Sequence, residues 1–297
     1  MPKKKKSTII AIPSYGRQHY LTSDRSQNTS SYIPPSLAKD TYYYVEDDQA
    51  ADYEEPLKQL GFKSRSAARG ARVGDWGSIM DLIIEECLPD CHHLIIMDDD
   101  LRLEKREDLE GKSGISVHAH HMSQEEFGDF VEDMKEHCTP ELPLLSGQYR
   151  AFCQGKRSEW SDCGRVSMVW CLNCAFFRKY REFRFTAGCP ETLIFMQDYW
   201  FFMRLLQCGV PNRSLNSYLK HDTPNADGGI SRNRVKKKFN TSVKQFASLF
   251  PEHVKTYEKI GKGSWGDGFL GVRMAAVSCY KAAIKAGATP DNPPPIG

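Results

Sequence analysis

The 297-residue sequence lacks any run approaching the ~18–20 apolar residues that a membrane-spanning helix requires, so no membrane segment is expected. It also lacks the apolar core of a secretory leader. The basic opening MPKKKKSTIIAIPSYG passes directly into a short strand-like stretch, and a cytoplasmic protein is the expectation. Ten cysteines are present, but no pair of C-x-x-C motifs accompanies them. The single Cys171-Leu-Asn-Cys174 lies in the strand-like MVWCLNCAFF, and zinc held by it with Cys163 and Cys189 lacks the usual ligand spacing. Reduced thiols are expected. An excess of one charge is missing too: 40 basic against 38 acidic residues leave a formal net charge of +2. That balance argues against an obligate nucleic-acid coat protein. Two basic clusters stand out locally, PKKKK at the start and ISRNRVKKKF at 230–239. The second is either a solvated face or an anion-binding segment. No internal repeat is evident.

What is present alternates between strand-like and helix-like segments. STIIAIPSYGR reads as a strand ending in a Pro/Gly loop, and DTYYYVEDDQAADYEE as an aromatic-rich strand entering an acidic helix. SIMDLIIEECL carries Ile79, Met80, Leu82, Ile83 and Leu88 at amphipathic-helix spacing, and HHLIIMDDD is the next strand. This order points to an α/β fold with ligands at the carboxyl ends of the strands. SQEEFGDFVEDMKEHC is a helix whose Ser123 and Glu126 form a capping box. PLLSGQYRAFC and RVSMVWCLNCAFFR read as strands, and PETLIFMQDYWFFMRLLQCG as a helix closed by Gly209. Outer helices are expected near the C-terminus, followed by a loose Pro-rich end.

The chemistry concentrates in three places. First, Asp98, Asp99 and Asp100 follow the greasy run Leu94–Met97. Strand alternation sends Asp98 and Asp100 to one side and leaves Asp99 facing the other. Two converging carboxylates need a positive partner, and a divalent cation completed by a diphosphate is the usual one. Second, Asp198 sits among Phe195, Met196, Tyr199, Trp200, Phe201 and Phe202, where a carboxylate is either a satisfied core ion or a site residue. Third, His221 follows a short strand-like SYL and precedes Gly228 and Gly229, a hinge for a lid over phosphates.

The opening IAIPSYGR, the strand LIIMDDD, the downstream Asp198 and the late His221 with GGISR resemble the GT-A class of nucleotide-sugar glycosyltransferases over roughly residues 7–240. Within it, the chain is most similar to the phage TET-associated glycosyltransferases, which act on 5-hydroxymethylcytosine in DNA. The resemblance implies an α/β Rossmann-like fold of the GT-A type, with a mixed, mainly parallel sheet flanked by helices. The expected organisation is a basic tail (1–6), a GT-A domain (7–240), a C-terminal helical segment (241–288) and a Pro-rich tail (289–297). It implies a UDP-sugar donor, UDP-glucose or UDP-N-acetylglucosamine, with Mn²⁺ or Mg²⁺ as cofactor and hydroxymethylated DNA as acceptor. Asp98, Asp100 and His221 would then hold the metal, with Asp98 also near the donor. Pro13, Ser14, Tyr15, Arg17, Arg69, Arg72, Arg232 and Arg234 would bind the donor, and Asp198 would serve as the catalytic carboxylate. Trp76, Trp160 and Trp170 are candidate platforms for an acceptor base. Alternatives are a GT-A enzyme acting on a saccharide or protein hydroxyl, a two-metal nucleotidyltransferase, and a non-catalytic nucleotide-sugar binder.

Overall fold

The computed structural model describes residues 6–22, 28–67, 75–107, 117–153, 158–222, 235–259 and 268–295. Its first half comprises β1 (Lys6–Ser14), α1 (Pro35–Ala38), β2 (Thr41–Val45), α2 (Ala50–Gln59), β3 (Lys63–Ser66), α3 (Trp76–Cys87), β4 (Cys91–Met97), β5 (Leu101–Arg106), β6 (Ala119–His121) and α4 (Gln124–His137). The second half adds β7 (Leu144–Tyr149), β8 (Trp160–Asp162), β9 (Val169–Asn173), α5 (Cys174–Lys179), α6 (Gln197–Gln207) and β10 (Asn212–Asp222). Last come α7 (Lys236–Leu249), β11 (Val254–Glu258), β12 (Leu270–Met274) and α8 (Ala276–Lys285).

β1 through β10 form one sheet in the order β3-β2-β1-β4-β9-β7-β10-β5-β6, with β8 pairing on β10. β1, β2, β3 and β4 are mutually parallel, β10 runs parallel to β7, and β9 enters antiparallel between β4 and β7. The result is a mixed, mainly parallel α/β sheet flanked by helices, the fold class expected from the sequence.

Alternation along the central strands fills two cores. Ile9 and Ala11 of β1, Leu94 and Ile96 of β4 and Leu172 of β9 meet α3 and α6 on one face. Ile10, Ile12, Ile95, Met97 and Cys171 meet α2 and α4 on the other. Burial on both faces explains why β1 and β4 read as continuous apolar runs. α3 starts on an Asp75 side chain that accepts from the Gly77 N–H, and it buries Met80, Ile83, Ile84 and Cys87. α4 begins with the expected capping box of Ser123 and Glu126.

Several elements differ from the sequence reading. The run 165–178 is not one strand: Asn173 caps a helix there, accepting from the N–H groups of Ala175 and Phe176. The helix expected from Pro190 begins only at Gln197, after a short turn. Residues 241–288 include the β11–β12 ribbon as well as helices. The boundary at 240 cuts through α7, whose Phe239, Val243 and Phe246 belong to the same core as α3 and α6. Nor is the Pro-rich end loose where it is described. Arg204 donates to the Pro294 carbonyl at 2.8 Å, and Tyr180 donates to Asp291 at 3.1 Å.

Gly209 ends α6 as expected, at φ +72°, with the Val210 N–H reaching back to the Leu205 carbonyl. A Cβ at this position would collide with the backbone oxygen of Ala288. Gly209→Ala therefore combines left-handed strain with a clash against main chain. It should lower stability by about 1–3 kcal/mol in urea unfolding, and an unchanged midpoint would contradict this account.

Candidate functional site

Strand order reverses at β1, which pairs with β2 on one side and β4 on the other. The crevice beyond the carboxyl ends of such strands is where open α/β sheets bind ligands. Here it is a cleft of about 1460 Å³.

One wall is the loop that follows β1. Gly16, at φ +65°, turns the chain, and its N–H donates to Gln49 Oε1 at 2.7 Å. The Arg17 N–H donates to Tyr53 Oη at 2.8 Å, and Tyr53 Oη also lies 2.8 Å from Ser14 Oγ. Ser14 Oγ commits its single proton to Asp99 Oδ2, so the Tyr53 hydroxyl donates to Ser14. Burial pushes the Tyr53 phenol up to about 12, which keeps that proton in place at neutral pH. Thus α2 pins the loop from behind.

The loop delivers Arg17 to the aspartates. Arg17 Nη1 lies 2.6 Å from Asp99 Oδ1 and 2.9 Å from Asp100 Oδ2, and all three residues are buried. Burial alone would lower the guanidinium pKa, but Asp99 and Asp100 outweigh it and raise it. β4 ends at Met97, so strand alternation does not extend through the triplet. Asp99 consequently turns into the same cleft as Asp98 and Asp100, which corrects the expectation that it faces elsewhere. Thr29 holds this turn, its hydroxyl donating to the Asp98 carbonyl at 2.8 Å and accepting from the Leu101 N–H at 2.9 Å.

The opposite wall is made by the starts of α3 and α6. Buried Gln197 accepts from the Gly77 N–H at 2.9 Å and donates to Asp75 at 2.7 Å, joining the two helix ends. Asp198, half-buried in the first turn of α6, lines the cleft, where the helix N-terminus favours its charge. Tyr15, 39% exposed, also lines it.

A third wall escaped the sequence reading. Residues 163–168, between β8 and β9, carry two non-glycine residues at positive φ, Cys163 at 51° and Met168 at 63°. Such strain persists only where the surroundings enforce it. Between them Arg165 lines the cleft, its guanidinium 4.6 Å from the ring centre of Tyr199, 5.5 Å from Tyr149 and 5.7 Å from Phe152. The only sequence signal was the CGR triplet, whose Gly164 abuts Ser214 too closely for a Cβ. Behind this wall lies fully buried Lys220, which donates to Ser146 Oγ while Ser146 donates to the Val169 carbonyl. Burial and Arg165 drive its pKa well below the ordinary lysine value, against the pull of Asp98.

Pro13, Ser14, Tyr15, Arg17, Asp98, Asp100 and Asp198 are thus gathered in one cleft. His221 is not among its lining residues. It lies on β10 opposite Arg102, with Nε2 3.7 Å from Glu104. Arg69, Arg72, Arg232, Arg234, Gly228 and Gly229 lie outside the described residues. Trp76 and Trp170 pack on each other with ring centres 5.1 Å apart at the cleft floor, and Trp160 packs on His137. Among the described residues no group of three His, Cys, Asp or Glu side chains forms a metal cage. The cysteines do not converge: Cys171 and Cys174 fall in opposite core layers, and Cys174 Sγ lies 3.4 Å from Cys91 Sγ.

No protein-family model matches the sequence, and no curated protein matches it. Among solved structures, the crystal structure of mannose-1-phosphate geranyltransferase from Thermus thermophilus resembles it at 14% identity with a TM-score of 0.37. The match covers 59% of this chain and 61% of that one. At that level the neighbour's activity says nothing of this chain's.

Two outcomes follow from the buried charges. Arg17→Met strands two buried carboxylates and should cost about 3–5 kcal/mol in urea unfolding, whereas a midpoint like that of the native protein would contradict the pairing. Lys220→Met should stabilise the protein by about 1–3 kcal/mol at neutral pH, because the unfolded chain holds the lysine proton more tightly than the native one. Native stability therefore rises with pH above the lowered pKa, and the variant's advantage should shrink toward pH 10. Thermal unfolding across pH tests this, and a variant less stable than the native protein at pH 7 would refute it.

Proposed function

We propose that this chain is a glycosyltransferase that binds a UDP-sugar in the cleft and passes the sugar to a hydroxyl. The finer assignment, 5-hydroxymethylcytosine in DNA as acceptor, is carried by the sequence resemblance. The observation that supports the transferase reading is the placement of an arginine-clamped aspartate triplet at the strand-order reversal, with a separate carboxylate, Asp198, on the facing wall. Switch-point crevices take nucleotides, and two carboxylates in different surroundings divide donor binding from acceptor activation.

In this reading the exposed ring of Tyr15 stacks on the nucleotide base, and Asp98 faces the ribose and diphosphate. Arg17, already committed to Asp99 and Asp100, holds the triplet in shape. Asp198 accepts the acceptor's proton as its oxygen attacks the anomeric carbon and the bond to the diphosphate oxygen breaks. The donor set fits a divalent ion that arrives with the diphosphate, since such ions use one or two carboxylates plus substrate phosphates. Three carboxylates faced by one guanidinium leave negative charge for it, and Asp98 would hold it. When bound, Mn²⁺ or Mg²⁺ would neutralise charge on the leaving diphosphate.

The purified chain should release UDP, not diphosphate, from a UDP-sugar, faster when hydroxymethylated DNA is present. Asp198→Ala should keep UDP affinity within about threefold while reducing transfer by about 10²–10⁴-fold. Asp98→Asn should weaken UDP and Mn²⁺ binding together. Release of diphosphate would replace glycosyl transfer with nucleotidyl transfer, and full transfer by the Asp198 variant would remove it from the mechanism.

A further inference from the structure

Arg165 differs from most arginines around the sheet. Arg17 pairs with Asp99 and Asp100, Arg65 with Glu86, Arg184 with Glu85 and Arg213 with Asp162. Arg102 and Arg150 share Glu104. Among the described residues no carboxylate lies within ion-pair distance of Arg165, and its buried Nε has no hydrogen-bond partner. The neighbouring carboxylate in sequence, Asp162, is engaged by Arg213 at 2.5 Å. Tyr199, Tyr149 and Phe152 hold the guanidinium without neutralising it, since ring faces attract a cation but carry no net charge. The positive charge is felt nearby: Arg165 contributes to the depressed pKa of Lys220.

The loop is also tied to the aspartates. The Asp98 N–H donates to the Met168 carbonyl at 2.9 Å, so the strained segment bearing Arg165 is fastened directly to the turn that carries the aspartates. An uncompensated, half-buried guanidinium in a cleft calls for an anion, and a planar fork of donors suits phosphate oxygens.

We propose that Arg165 is a phosphate-binding group of the cleft that takes an oxygen of the nucleoside diphosphate. This rests on the transferase reading for the nucleotide, while the anion site itself stands on the geometry of Arg165. The same phosphate chemistry is available from a nucleic-acid backbone, and the experiment separates the two.

The test is calorimetric titration of the full chain, with metal chelated, using uridine, UMP, UDP, inorganic diphosphate and a short DNA duplex. The proteins are the wild type, Arg165→Lys and Arg165→Met, each checked for folding by circular dichroism. Arg165→Met should bind UDP roughly tenfold to a hundredfold more weakly, UMP less affected and uridine unchanged, with Arg165→Lys intermediate. Should the methionine variant fail to fold, the lysine variant carries the comparison, because it loses the fork and keeps the charge. UDP affinity within twofold of the wild type in the folded variants overturns the proposal. So does loss of duplex binding alone, which would give the arginine to the acceptor. If the wild type binds diphosphate but no uridine nucleotide, the UDP-sugar reading falls, and loss of diphosphate binding in the variants still upholds the anion site.

Discussion

Everything at the working edge of this molecule depends on a guanidinium buried between two carboxylates. Removing three charges from water is costly, and such clusters persist when close geometry and further hydrogen bonds compensate. Here Ser14 donates to Asp99 and is itself backed by Tyr53. The cluster joins the loop after β1 to the turn after β4, the two neighbouring strand ends that define the crevice. Substituting apolar residues would leave the strands in place but remove what sets the two loops relative to each other.

The sequence raised the question of what neutralises adjacent aspartates, and a metal was the first answer. The structure supplies a resident cation from a residue 82 positions upstream of Asp99. IPSYGR singled out Arg17 as a residue of the cleft, where it lies, but its pairing with the aspartates was not legible, because ion pairing between distant segments leaves no local pattern. Asp99 was misplaced for a related reason: alternation holds only while the chain stays extended, and β4 stops at Met97.

Segments buried by simple periodicity were read well, including β1, α3, β4 and α4. β5 was missed because LRLEKR is short and highly charged; its buried Glu104 is offset by Arg102 on the same strand and by Arg150 from the turn after β7. α5 hid inside an apolar run in which strand and helix look alike until Asn173 is recognised as a cap. Beyond the CGR triplet the sequence holds no pattern that reveals Arg165, since its setting depends on backbone strain at Cys163 and Met168 and on aromatic rings from other parts of the chain.

Gly209 pressed against Ala288 has a bearing on biosynthesis. The cleft takes its first wall from residues 13–17 and further lining from Arg273, Met274 and Lys281, far apart in the sequence. A chain still emerging from the ribosome can form the parallel strands early, but it cannot complete the cleft until α8 has been made and seated on α6. Ligand capture is thereby deferred until α8 has been made, and a product that stops before it would keep much of the sheet while lacking the finished cleft.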